Sequence, residues 1–108
     1  VLDLEPRHLE EVRRILREHV PHCEVRAFGS RIKGGAKPYA DLDLVVMTAT
    51  PLPMRSKVAL EAALSESRLP FKVDLLYWDE LSEGFRQRID QGWEPVQAAE
   101  PLRPLAER

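Results

Sequence analysis

The sequence predicts a mixed α/β (α+β) domain, a small sheet of about three strands flanked by helices in the order α-β-α-β-α-β-α. Three observations predict it. Apolar residues recur at helical spacing between Pro6 and Pro21. Short alternating or apolar segments follow at residues 24–28, 41–47 and 71–78. Proline and glycine punctuate the chain between these segments, and the 108 residues suffice for a single core.

Each element has its own reason. Over residues 6–19, Leu9, Val12 and Leu16 form one stripe that continues to Val20, while Glu10, Arg13, Arg14 and Arg17 are expected to face water. Pro21 stops that helix. Residues 24–28 alternate polar and apolar, as a half-buried strand does. Gly29-Ser30 breaks the strand, with Ser30 placed to cap a short helix over residues 31–33. Gly34-Gly35-Ala36-Lys37-Pro38-Tyr39 has loop composition.

The second strand is expected over residues 41–47, with Asp41, Asp43, Val45 and Met47 on one face and Leu42, Leu44 and Val46 on the other. Thr50-Pro51-Leu52-Pro53 reads as a turn into a helix bearing Met54, Val58, Ala62 and Leu64. In the third strand Lys72, Asp74 and Leu76 share one face, and Val73, Leu75 and Tyr77 the other. Ser82 caps a last helix containing Phe85 and Ile89, which Gly92 ends. The domain is thus expected over residues 1–92, and Pro95, Pro101 and Pro104 make 93–108 an irregular tail.

Composition excludes several function classes. Cys23 is the only cysteine, so there is neither an internal disulfide nor a thiolate metal cluster. A net charge of -2 is wrong for a broad basic face that wraps extended nucleic acid. No apolar run approaches the roughly 20 residues of a membrane span, and the acidic N-terminus lacks signal-peptide features, so a cytoplasmic protein is expected.

The chemistry concentrates in three places. Asp41 and Asp43 stand at i and i+2 on a strand, roughly 6–7 Å apart at the backbone. Carboxylates so placed can converge on two metal ions about 3.5–4 Å apart, as phosphoryl and nucleotidyl transfer require. Magnesium takes oxygen ligands and shares them among a few carboxylates, water and substrate phosphates. A carboxylate opening an apolar strand is costly unless paired or metal-bound. Asp-x-Asp alone remains a weak signal, since such pairs are mostly solvated.

Asp74 is a second charge within an apolar strand, Lys72-Val73-Asp74-Leu75-Leu76. If that strand lies beside the second, Asp74 reaches the same metal site or accepts a proton as general base. A plain salt bridge to a nearby lysine or arginine is the structural alternative. Gly29 lets the backbone approach a phosphate, and the N–H groups that follow, with the Ser30 hydroxyl, can bind its oxygens. Arg31 and Lys33 offer charge to a triphosphate, or are simply solvated.

With Gly29-Ser30-Arg31-Ile32-Lys33-Gly34, Ala40-Asp41-Leu42-Asp43-Leu44-Val45-Val46 and Val73-Asp74-Leu75, the chain resembles the minimal nucleotidyltransferase family of the DNA polymerase beta-like nucleotidyltransferase superfamily. The family's Gly-Ser, ten-residue spacer and Asp-x-Asp are matched without gaps, and its later lone Asp falls on Asp74. The likeness covers residues 6–92. One departure is Ala40, where many relatives carry serine; it puts efficiency in question while leaving the carboxylates intact.

The resemblance implies a set of expectations. Asp41, Asp43 and Asp74 would be catalytic and hold two Mg²⁺ ions, and Gly29, Ser30 and Arg31 would bind ATP. AMP would pass to a hydroxyl, typically a tyrosine, of a HEPN-family toxin, with this chain as its antitoxin in a hetero-oligomer. Two other readings stay open. One is a steric antitoxin that covers the toxin through an apolar surface around Tyr39, Trp93 and the tail. The other is a nucleotidyltransferase acting on a small molecule, against which the missing acceptor domain counts.

Overall fold

The computed structural model describes residues 2–101. Its elements run α1 (Pro6–His19), β1 (Glu24–Phe28), a 3-10 turn (Ser30–Ile32), β2 (Leu42–Met47), α2 (Met54–Ser65), β3 (Val73–Tyr77), a second 3-10 turn (Trp78–Glu80), α3 (Glu83–Asp90) and β4 (Glu94–Gln97). The sheet order is β3-β2-β1-β4. β1 pairs antiparallel with both β2 and β4, while β2 and β3 are parallel. A parallel pair needs a long crossover, and α2 supplies it.

The core lies on one face of the sheet. Val12, Ile15 and Leu16 of α1 and Leu60 and Leu64 of α2 pack on Val25, Ala27, Leu42, Leu44 and Val46. The alternation expected for β2 thus holds, and it turns Asp43 to the opposite face. On that second face Phe85 of α3 meets Phe28 edge-to-face, with 6.2 Å between ring centroids. The Ser82 side chain accepts the Phe85 N–H, as expected of its cap. No described helix is long and apolar enough to cross a membrane.

Three expectations need correction. Four strands are present among the described residues, because Glu94–Gln97 of the expected irregular tail forms an edge strand. An edge tolerates Pro95, whose missing N–H would interrupt a central ladder. Val96 is buried there, Arg13 of α1 donates to its carbonyl at 2.8 Å rather than facing water, and Gln97 donates to the Val20 and Cys23 carbonyls. The stretch 102–108, including Pro104, lies outside the described residues.

The second correction concerns α2, whose buried stripe is Lys57, Leu60 and Leu64, with Met54 and Val58 exposed. Lys57 can occupy that stripe because Glu80 takes its ammonium at 2.6 Å and the Tyr77 ring lies beneath it. Ser30 is the third. It opens the 3-10 turn instead of capping it, Gly29 holds the cap position, and no side chain bonds to the cap. Cys23 fills a half-buried structural position, and desolvation pushes its thiol up, away from the reactive thiolate.

Candidate functional site

The parallel register does the assembling. Asp43 lies directly opposite Asp74, so these two carboxylates share the sheet face away from α1 and α2. Asp41, expected inside the strand, is the exposed residue just before it. Asp43 is half-buried, and its carboxyl is held above the ordinary carboxylate range. Desolvation is the first cause; the charges of Asp74 and then Asp41 are the others. Asp43 therefore stands in a concentration of like charge that a cation would relieve.

The glycine-serine turn closes the other side. Phe28 pairs with Asp43 across β1 and β2, so the chain leaves β1 at Gly29 right beside that carboxylate. Gly29 has φ 84 and ψ -152, a region open in practice only to glycine. A Cβ built there would sit 2.4 Å from Asp43 Oδ2. The sequence therefore needs glycine twice over, for the backbone angle and for the space. Ser30 is exposed next to it.

Do these residues fit a divalent metal? The donors are all hard oxygens, and Gly29 keeps the space around Asp43 clear. Among the described residues no three carboxylate, imidazole or thiolate groups already form a complete cage. Magnesium does not require one, because it commonly binds through one or two carboxylates and fills its remaining positions with water and phosphate oxygens. The set fits as an open site completed by a phosphorylated substrate.

Arg31 is placed elsewhere than its expected position at a triphosphate. It is buried, and its guanidinium donates to the carbonyls of Ala40 at 3.0 Å, Asp3 at 2.9 Å and Pro38 at 2.8 Å while lying over Phe71. Its side chain holds the 36–40 loop, which delivers Asp41 to the site. The Asp3 carboxylate accepts the Ala36 N–H and anchors the same loop. Nothing local in the sequence signals these long-range contacts. Arg31→Ala is expected to cost about 2–3 kcal/mol by urea denaturation, since several charge-assisted bonds in a buried setting are lost. Unchanged stability would contradict this role.

Sequence reading leaves Lys72 without a specific role. Its ammonium stands 3.2 Å from Asp74 Oδ1, the salt bridge that was the structural alternative for this aspartate. The bridge and the register with Asp43 coexist. Of the expected apolar surface, Tyr39 is 76% exposed, but Trp93 is half-buried with the Arg26 guanidinium stacked 3.9 Å from its ring. A concavity of about 760 Å³ lined by His8, Arg31, Tyr39, Arg68 and Phe71 contains none of the three aspartates. The carboxylate oxygens gather on the strand face rather than in this concavity.

Comparison with known proteins places the chain in a family. A nucleotidyltransferase domain family model matches residues 9–94. A probable protein adenylyltransferase, MntA, of Haemophilus influenzae is 44% identical over 99 residues, covering 92% of this chain and 87% of the relative. Two solved structures share the fold. One is a toxin–antitoxin with AMP-PNP (TM-score 0.69, 22% identity, 85% of this chain and 74% of the other). The second is a tri-AMPylated Shewanella oneidensis HEPN toxin in complex with its MNT antitoxin (TM-score 0.66, 19% identity, 89% and 74%). With a family model across most of its length and a relative of this identity, the chain belongs to the nucleotidyltransferase domain family and is an enzyme of that class.

Proposed function

We propose that this protein is a Mg²⁺-dependent cytoplasmic adenylyltransferase that moves AMP from ATP to a hydroxyl, that of a tyrosine, on a partner HEPN toxin, and so acts as its antitoxin. The observation that carries the reading is the pairing of Asp43 with Asp74 across β2 and β3, beside the glycine that leaves β1. The Haemophilus influenzae relative's name and the toxin–antitoxin neighbours support the choice of a protein acceptor.

In this reading Asp41 and Asp43 hold two Mg²⁺ ions with Asp74 completing the set. Bound there, the ions neutralise charge on the phosphates and on the attacking oxygen. Gly29 offers close backbone approach, and Ser30 its N–H and hydroxyl, to the β- and γ-phosphates. The acceptor oxygen forms its bond to the α-phosphorus as the bond to the bridging oxygen breaks. Pyrophosphate leaves, and Asp74 takes the hydroxyl proton. Arg31 acts at one remove, by fixing the loop ahead of Asp41.

The exposed Tyr39 close to Asp41 in the chain favours a docking surface beside the site, which a steric antitoxin could use without chemistry. Titrating the toxin with decreasing amounts of this protein separates the two. A catalyst silences an excess of toxin when ATP and Mg²⁺ are present and fails with EDTA. Silencing that needs equal amounts and ignores EDTA would overturn the enzymatic reading.

A further inference from the structure

We infer that Lys72 is a built-in counter-ion of the site: it holds Asp74 in the absence of metal and sets the divalent-cation concentration at which Asp74 joins Asp43. The inference rests on the metal-dependent reading above and adds to it a residue that competes with the ion.

The geometry is specific. Lys72 immediately precedes β3 and stands two residues before Asp74, so in extended chain the two side chains leave on the same side. The Lys72 ammonium is 3.2 Å from Asp74 Oδ1. Its backbone is fixed at the mouth of the site, because its carbonyl accepts the Leu42 N–H at 2.9 Å, next to Asp41. Among the described residues this is the only ion pair recorded for Asp41, Asp43 or Asp74. Asp43 and Asp74 are register partners, and one Asp74 oxygen is engaged by lysine.

The physics makes the pair a competitor rather than a lock. An ammonium is a compact monovalent charge on a flexible stem. It relieves part of the carboxylate repulsion but cannot bridge two carboxylates as a divalent ion does. The side chains are 73% and 38% exposed, so water and salt screen the pair and it opens readily. Removing Lys72 takes away the one cation paired with Asp74 among the described residues. The affinity for metal should then rise by a modest factor, on the order of 3- to 5-fold, the scale of an exposed ion pair.

Manganese binding to the nucleotide-free protein, followed by loss of the free Mn²⁺ paramagnetic resonance signal, tests this without any turnover. Lys72→Met is expected to bind Mn²⁺ about 3- to 5-fold more tightly than the wild type at low salt, with the difference shrinking as salt rises. Lys72→Arg, which keeps the charge, should stay close to wild type. Arg55→Met makes the same change in net charge on an exposed residue of α2, on the other side of the sheet, and should leave affinity unchanged. Equal or weaker binding by Lys72→Met, or equal tightening by Arg55→Met, overturns the counter-ion role. Asp43→Asn separates the two levels of the argument. If it abolishes wild-type Mn²⁺ binding while Lys72→Met has no effect, only the Lys72 inference fails. If wild type binds no Mn²⁺, or Asp43→Asn binds it equally, the metal reading fails and takes the inference with it.

Discussion

Asp43→Asn is expected to reduce nucleotidyl transfer by roughly 10³-fold or more, the consequence of losing several kcal/mol of metal-assisted charge stabilisation, while the fold persists. The argument has two halves. Asp43 is the carboxylate that the structure surrounds most completely, with Asp74 opposite, Asp41 two residues before and Gly29 in contact range. No other described side chain occupies that position, so no neighbour can substitute for it. The amide is nearly isosteric, so packing is preserved.

Stability should move the other way. Burial and the charges of Asp74 and Asp41 hold the native Asp43 carboxyl above its ordinary value of 3.8, while Lys72 pairs with Asp74 nearby. The native state therefore binds this proton at pH values where the unfolded chain has released it. The stability associated with the protonated form is present at low pH and is lost as pH rises through the raised native value. At neutral pH the ionised group is a liability, so Asp43→Asn should melt at the same temperature or higher. Between neutrality and the ordinary carboxylate range, wild type should gain stability on acidification relative to Asp43→Asn. Thermal melts across that range check the sign; a mutant markedly less stable at pH 7 would show that Asp43 is structural.

Gly29→Ala is the second large effect, and it should damage both stability and activity. The backbone angles at Gly29 cost a residue with a side chain roughly 1–3 kcal/mol. In addition the new methyl meets Asp43 Oδ2 at 2.4 Å and Cγ at 3.3 Å, so the carboxylate must shift. A displacement of about 1 Å at reacting groups costs on the order of 10²-fold in rate. Gly34→Ala separates the two causes. Gly34 also has positive φ, at 81, but its added Cβ meets nothing within 4 Å. That variant should lose stability through backbone strain and retain transfer activity. Equal activity losses in both variants would remove the special role of Gly29.

The residues that were legible in the sequence are those whose chemistry conflicts with their surroundings. Charges at Asp43 and Asp74 interrupt otherwise apolar strands, and that conflict singles the two residues out in the sequence. The parallel pairing then explains it, by setting the two side by side. The stripe along α1 and the alternation that sets Leu42, Leu44 and Val46 of β2 in the core were legible because these patterns are local and of regular period.

What was not legible depends on partners distant in the chain. Lys57 occupies a buried stripe only because Glu80, beyond β3, receives its ammonium. Pro95 belongs to a strand because that strand lies at an edge, beside β1, which is far away in sequence. Arg31 looked like a phosphate ligand by its place after Gly-Ser, yet its fork closes on carbonyls from residues 3, 38 and 40. In each case tertiary pairing cancels a penalty, or redirects a charge, that local pattern alone assigns differently.

The central claim is group transfer from a nucleotide through these three aspartates to a protein hydroxyl. Its most direct measurement uses ATP labelled at the α-phosphate, Mg²⁺, the purified protein and a HEPN-family toxin as the proposed partner. The account predicts label on that partner, with pyrophosphate released, and no label when Asp43→Asn replaces wild type. An unlabelled partner that is nevertheless silenced in a stoichiometric complex would contradict it.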